Sequence, residues 1–332
     1  VRIGLTLPNR AISFGVVTAE DLLQMAEIAD QSDLFQSVWV GDSLLGKPRF
    51  DSTVLLSAIA GRTQRVRMGV ACMASFPLRD PVHLAYQWAS LDLLARGRTV
   101  LTACTGIVEQ AGGVIEGRLY NVTPRDRANR LIEWIEILKR LWTSDNVSFE
   151  GEHYRFSGIS IEPKPAASPR PPIWIANNAG RNVPLRDRTP EQLAFISRTN
   201  HRVAAMADGW QTAVCDPDDV AWRLADIREQ AVKLGRDPSE IATHVYHNIN
   251  LQDDREAALA ESKRFLDAYY ITNYRPQYVE CWTAAGPAEA CIAHLDRFRQ
   301  MGIDEVTVRI TSWDQFGQLK RVMDEVLPAF RE

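Results

Sequence analysis

Eight short apolar runs, each followed by a helical stretch, recur along almost the whole chain. They cover 2–7, 38–40, 66–72, 99–104, 172–178, 208–214, 244–251 and 305–310. Strands that alternate with helices pair in parallel, because each strand–helix–strand crossover returns the chain in the right-handed sense. With eight such units the last strand can pair with the first, which predicts an α/β fold of the (β/α)8 TIM-barrel type. A doubly wound open sheet is the competing architecture. The rhythm breaks only at 143–172, where FEGEHYRFSGISIEPKP alternates like a small hairpin and prolines crowd the return. That stretch reads as an insertion within one domain spanning 1–332, because PIWIANN resumes the strand pattern.

Local signals support the helices. Thr18 with Asp21 has capping-box spacing, and Leu22, Met25, Ala26 and Ala29 then fall on one face. Pro81 opens a helix that runs to about Ala95, and Leu131, Trp134, Ile135, Leu138 and Leu141 form the stripe of another over about 125–142. Segments 106–124 and 270–286 read as pocket loops that set specificity.

Composition narrows the class. A hydrophobic content of 45%, a charged content of 24% and a net charge of −4 describe an ordinary globular chain and argue against nucleic acid as a partner. The five cysteines (Cys72, Cys104, Cys215, Cys281 and Cys291) are scattered, without a C-x-x-C pair, as expected in a reducing cytoplasm. VRIGLTLP reads as a strand rather than a signal peptide, and no apolar run reaches the roughly 20 residues of a membrane span.

In a barrel, chemistry gathers where strands end. Those positions here carry Asp42, Ser43, Ala71, Cys72, Cys104, Thr105, Asn177, Asn178, Gln211 and Thr311. Paired carboxylates of the glycosidase kind are absent from these tips. The histidines lie on separate elements, so no metal site is expected; His244 and His247, three apart on one strand, point to opposite faces. Neither a P-loop nor a Rossmann glycine fingerprint occurs. ANNAGR (176–181) could hold a phosphate ester on backbone N–H groups, or be an ordinary polar turn. Gly41-Asp42-Ser43-Leu44 matches an esterase nucleophile signature. However, the only Asp-x-x-His is Asp80 to His83, early in the chain, where that family places its pair near the C-terminus.

Longer blocks resemble another family. VWVGDSLL, LLSAIAGRTQRVRMGVA, LRDPVHLAYQWASLDLLARGR, PRPPIWIANN and AAGPAEACIAHLDRFRQMGIDEVTV, in this order, are similar to the bacterial luciferase-like flavin-dependent oxidoreductases. The resemblance implies a cytoplasmic monooxygenase that takes reduced FMN from a separate flavin reductase. With O2, through a flavin peroxide adduct, it would oxidise a small organic substrate, and a homodimer is expected. It implies a non-proline cis peptide at Ala71–Cys72 beside the flavin ring, with Cys104 and Thr105 alongside. It also implies a phosphate-holding turn at Asn177, Asn178, Gly180 and Arg181. One departure matters: many relatives carry an acidic residue followed by histidine where this chain has Asp42-Ser43. A serine cannot exchange protons near neutral pH as imidazole does. Asp42, or His247 from another strand, would then supply the acid–base group. The alternative on the same fold is hydride transfer with the deazaflavin coenzyme F-420. Outside oxidoreductases stand a serine esterase and a non-catalytic flavin-binding subunit. Trp39, Trp174, Trp210, Tyr246 and Trp313 are candidate pocket walls.

Overall fold

The computed structural model describes residues 1–106, 108 and 110–331. Its strands are β1 (Arg2–Thr6), β2 (Ser37–Val40), β3 (Arg67–Val70), β4 (Thr99–Ala103), β5 (Val147–Glu150) and β6 (Arg155–Ile159). There follow β7 (Ile173–Ala176), β8 (Gly209–Thr212), β9 (Ala242–Leu251), β10 (Thr283–Gly286) and β11 (Glu305–Ile310). Eight of them close a parallel barrel in the order β1, β2, β3, β4, β7, β8, β9, β11 and back to β1. These eight are the strands expected from the sequence. β5 and β6 form the antiparallel hairpin expected within 143–172.

The helices are α1 (Ala19–Gln31), α2 (Ser52–Arg62), α3 (Pro81–Leu94), α4 (Ala111–Leu119), α5 (Pro124–Thr143) and α6 (Pro190–Met206). Then come α7 (Pro217–Lys233), α8 (Arg255–Tyr270), α9 (Pro276–Cys281), α10 (Ala288–Gln300) and α11 (Gln315–Arg321). The capping box of α1 is made: Asp21 N–H donates to the Thr18 hydroxyl, and Thr18 N–H to the Asp21 carboxylate. The expected faces of α1 and α5 are the buried ones.

The barrel interior is plugged by aromatic rings. Trp39 and Trp174 lie 5.3 Å apart between centroids, and the His244 ring lies 4.5 Å from Trp39. Glycine makes room for them: a Cβ on Gly69 would fall 2.5 Å from the Trp39 ring, and one on Gly209 equally close to Trp174. Burying each such ring stabilises the fold by about 1.5–3 kcal/mol. Beneath them the Glu305 carboxylate accepts from Ser37 Oγ, from Trp39 Nε1 and from Arg67. The lower barrel is therefore filled by packed rings and an ion network, and among the described residues a cavity opens at the carboxyl rim.

Three elements depart from expectation, and all fall in the segments read as loops. α4 forms in AGGVIEG, although glycine costs about 1 kcal/mol per residue in a helix. Its Gly112 permits close packing on the loop after β2, since a Cβ there would meet Leu45 O at 2.2 Å. α9 and β10 form within 270–286. β10 has little β-branched character. It exists because β9 is ten residues long and outruns β8: Asn248–Leu251 are left with a free edge, which Thr283–Gly286 pairs.

Candidate active site at the carboxyl rim

A cavity of about 790 Å³ opens among the strand ends, within the roughly 300–1,000 Å³ of small-molecule sites. Asp42, Ala71, Cys72, Cys104, Thr105, Asn177, Asn178, Gly180 and Arg181 all line it. Ser43 and His247 do not.

His247 corrects an expectation. It sits on the outward face of β9, its Nε2 2.8 Å from His294 Nε2 and its ring 5.1 Å from Phe298 on α10. Burial, together with His294 and Arg297, holds its pKa well below the usual imidazole value. It can reach nothing in the cavity. The inward histidine of the same strand is His244, but it lies in the plug. Burial lowers its pKa to about 4 against the pull of Glu305, so it is neutral at physiological pH.

Asp42 is in place and engaged on both oxygens. One oxygen accepts Ser75 N–H at 2.7 Å; the other accepts Ser52 Oγ–H at 2.8 Å and faces Arg79 at 3.4 Å. It fastens the loop after β2 to the loop after β3. The Ser43 hydroxyl accepts Lys47 N–H at 2.8 Å. Ser43 lines a neighbouring pocket of about 440 Å³ with Asp80 and His83. Asp80 is occupied as the N-cap of α3, where it accepts His83 N–H, and as acceptor for the Tyr154 hydroxyl. No hydrogen bond joins Ser43 to His83, so the esterase constellation is not assembled.

The Ala71–Cys72 bond is cis. Cys72 and Cys104 bring their sulfur atoms within 2.7 Å. The hydrogen bond from Cys72, and burial after it, push the Cys104 thiol well above its ordinary pKa. Cys104 therefore stays protonated, a small wall residue rather than a thiolate nucleophile.

The turn after β7 is built from the inside. Asn177 Nδ2 donates to Thr199 Oγ1 at 2.9 Å and Asn200 Oδ1 at 2.6 Å, while Asn178 Oδ1 accepts from Ala213 N–H at 2.6 Å. Arg188 and Arg223 share the buried Asp219 and donate to the carbonyls of Gly180 and Ala179. Gly180 takes a φ of +69°, which glycine adopts freely. The amides of Asn178 and Gly180 find no backbone acceptor among the described residues, and Thr199, Arg202 and Arg125 border the same space. Free N–H donors beside guanidinium groups suit a phosphate ester. These residues fit the phosphate of a flavin-type cofactor, and Ala71, Cys72, Cys104 and Thr105 leave an apolar wall for its ring.

The opposite end was not anticipated. Lys47 is buried (5% exposed), with its ammonium 4.6 Å from the Tyr270 ring centroid. Burial, then the charges of Arg181, Arg49, Arg10 and Arg309, lower its pKa to about 7. Its loop is pinned from α4, where Glu116, paired with the buried Arg127 at 3.2 Å, accepts Leu45 and Gly46 N–H. Arg49 and Arg181 stand nearby, Arg181 with its guanidinium 5.8 Å from Trp282. The clue in the sequence was Lys47-Pro48-Arg49, two cations just beyond a strand tip. Of the candidate aromatic walls only Tyr246 reaches the cavity: Trp39 and Trp174 are in the plug, Trp210 is buried elsewhere and Trp313 is exposed.

A closed eight-stranded barrel with a cavity at its carboxyl rim, bordered by the turn after β7, defines the broad class. Residues 2–299 match the family model for luciferase-like monooxygenases, and the chain belongs to that family. The F420-dependent glucose-6-phosphate dehydrogenase of Amycolatopsis mediterranei is 24% identical over 326 residues, covering 94% of each chain. The oxygenase component of the flavin-dependent trigonelline monooxygenase of Acinetobacter baylyi is 22% identical, over 94% of this chain and 90% of that protein. In fold, an F420-dependent secondary alcohol dehydrogenase, solved with an F420–acetone adduct, superposes with a TM-score of 0.81 at 16% identity. That match covers 100% of this chain and 99% of the other. The family's members named here are oxidoreductases, and this chain is an enzyme of that family. Among the described residues no helix is long and apolar enough to cross a membrane.

Proposed function

We propose that the chain is an FMN-dependent monooxygenase acting on a small organic substrate, with reduced FMN delivered by a separate reductase. One observation carries the choice between oxygen chemistry and hydride transfer. Ser43, standing where many relatives have a histidine, accepts the Lys47 amide and lies outside the cavity, while Asp42 accepts donors on both of its oxygens. Oxidation of an alcohol by hydride transfer needs a group at that place to take the hydroxyl proton. Oxygen insertion asks instead for a shielded ring and a held substrate.

When bound, reduced flavin supplies the electrons that activate oxygen. The chain's own residues do the rest. The 177–181 turn, with Thr199, Arg202 and Arg125, holds the phosphate; Ala71, Cys72, Cys104 and Thr105 back the ring; Tyr246, Tyr270 and Trp282 exclude water from the other wall. The relative named as an oxygenase component supports the reductase partner.

The second reading is hydride transfer with the deazaflavin, which the F420-dependent relatives support. Titration of the pure protein with FMN and with the deazaflavin separates the two. FMN binding, with substrate-dependent oxygen uptake under a reductase, is expected. Tight binding of the deazaflavin alone overturns the monooxygenase reading.

A further inference from the structure

The cavity is far more basic than the protein around it. Its described lining carries Lys47, Arg49, Arg125, Arg181 and Arg202 against one carboxylate, Asp42, in a chain of net charge −4. Asp42 already answers to Arg79, Ser52 and the Ser75 amide, so it neutralises none of the five. Arg202, one turn beyond Thr199 on α6, and Arg125, in the first turn of α5, stand by the phosphate turn. That leaves Lys47, Arg49 and Arg181 at the other end.

None of these three has a carboxylate partner among the described residues. Lys47 faces the Tyr270 ring, Arg49 donates Nε–H to the Lys47 carbonyl at 3.2 Å, and Arg181 lies over Tyr278 and Trp282. Behind Tyr270 a further cation, Arg309, donates to the Tyr270 hydroxyl at 2.9 Å. A buried ammonium without a counter-charge is costly, and buried charges are normally paired. The chemistry complementary to these three cations is that of an anion. Its remaining surroundings are the flat faces of Tyr270 and Trp282, with Tyr246 beside them, which suit an apolar ring. Guanidinium forks match the two oxygens of a carboxylate.

We propose that Lys47, Arg49 and Arg181 recognise the carboxylate of a small aromatic acid, that its ring lies against Tyr270 and Trp282, and that this acid is the substrate. As a substrate site this rests on the oxidoreductase reading above; as an anion site it does not. The groups facing Lys47 are Arg10 after β1, Arg49 on its own loop, Arg181 after β7, Tyr270 on α8 and Arg309 on β11. All but the phenol are cations that push its proton off. A bound carboxylate draws the proton back, so affinity falls as pH rises through about 7.

The test is binding by calorimetry to the chain with and without FMN, using benzoate, its neutral isostere benzamide, and phenyl phosphate. Benzoate is expected to bind at least about tenfold more tightly than benzamide. Lys47→Met should lose that preference and the fall in affinity above neutral pH. Arg202→Gln should weaken FMN and leave benzoate alone. Equal binding of benzamide, or full benzoate affinity in Lys47→Met, overturns the proposal. Tighter binding of phenyl phosphate makes the anion a phosphate ester and overturns the carboxylate. Selective benzoate binding without any flavin binding fails the enzyme reading and leaves the anion site standing.

Discussion

The barrel buries charge at both ends, in opposite ways. At the bottom, Glu305 is met from several directions. Burial pushes its carboxyl up, and His244, Arg67, Ser37 and Trp39 together outweigh that and hold it below the usual carboxylate range. At the rim, Lys47 is nearly as buried but has an aromatic face and a ring of like charges in place of a partner. A saturated buried charge contributes to one specific packing. An unsaturated one lowers stability, and it persists where something outside the chain completes it. In this barrel the state of satisfaction, more than burial, separates scaffold from site.

The largest expected effect breaks the bottom network. Glu305→Ala leaves Arg67, Ser37 and the Trp39 indole without their shared acceptor, and removing one partner of such a buried group costs about 3–5 kcal/mol. The unfolding free energy should fall by that amount, read as a lower denaturation midpoint with an unchanged slope. A loss under about 1 kcal/mol would show that the bottom is no better satisfied than the rim.

Asp219→Ala comes next. Arg188 and Arg223, both buried, would lose their shared carboxylate but keep the carbonyls of Gly180 and Ala179, so the cost is about 3 kcal/mol, the low end for breaking a buried ion pair. Because those arginines hold the turn after β7, FMN affinity should drop with stability, which a paired melt and titration would reveal.

Lys47→Met should act in the opposite direction, stabilising by about 1 kcal/mol near pH 6. In the folded chain Lys47 titrates at about 7, against an ordinary 10.5. Below 7 it is charged in both states and its burial cost is fully felt. Between those values only the unfolded chain keeps the proton, so wild-type stability rises with pH and the variant's advantage shrinks. An advantage that grows with pH would contradict the burial of a charged Lys47. The smallest effect is that of Ser43→Ala. It removes one acceptor from the Lys47 amide and costs about 1 kcal/mol or less. It should weaken benzoate binding modestly by loosening the Lys47 loop, without abolishing it.

Much of this was legible beforehand because it is periodic or local. Eight strands, the capping box at Thr18 and Asp21, the stripe of α5 and the hairpin within 143–172 each follow from spacing that neighbouring residues impose on one another. The site was legible as strand tips, and Ala71, Cys72, Cys104, Thr105, Asn177, Asn178, Gly180 and Arg181 do meet around one cavity. His247 failed by register: the period of two was read correctly, but which histidine faces inward depends on how β9 sits between β8 and β11. α4 and β10 were missed because neither has propensity of its own; one is held by the loop after β2 and the other by the spare edge of β9.

The sequence alone therefore determined the alternation that closes a barrel, and which residues stand at its rim, since both depend on order along the chain. Whether a given side chain is spent or free was decided only by the tertiary structure. Asp42, Ser43 and Lys47 lie within six positions of one another on a single loop. The Lys47 amide of that same loop engages the hydroxyl, but the carboxylate is engaged by Ser75 beyond β3 and Ser52 on α2, and the ammonium meets the ring of Tyr270 on α8 with no counter-charge among the described residues.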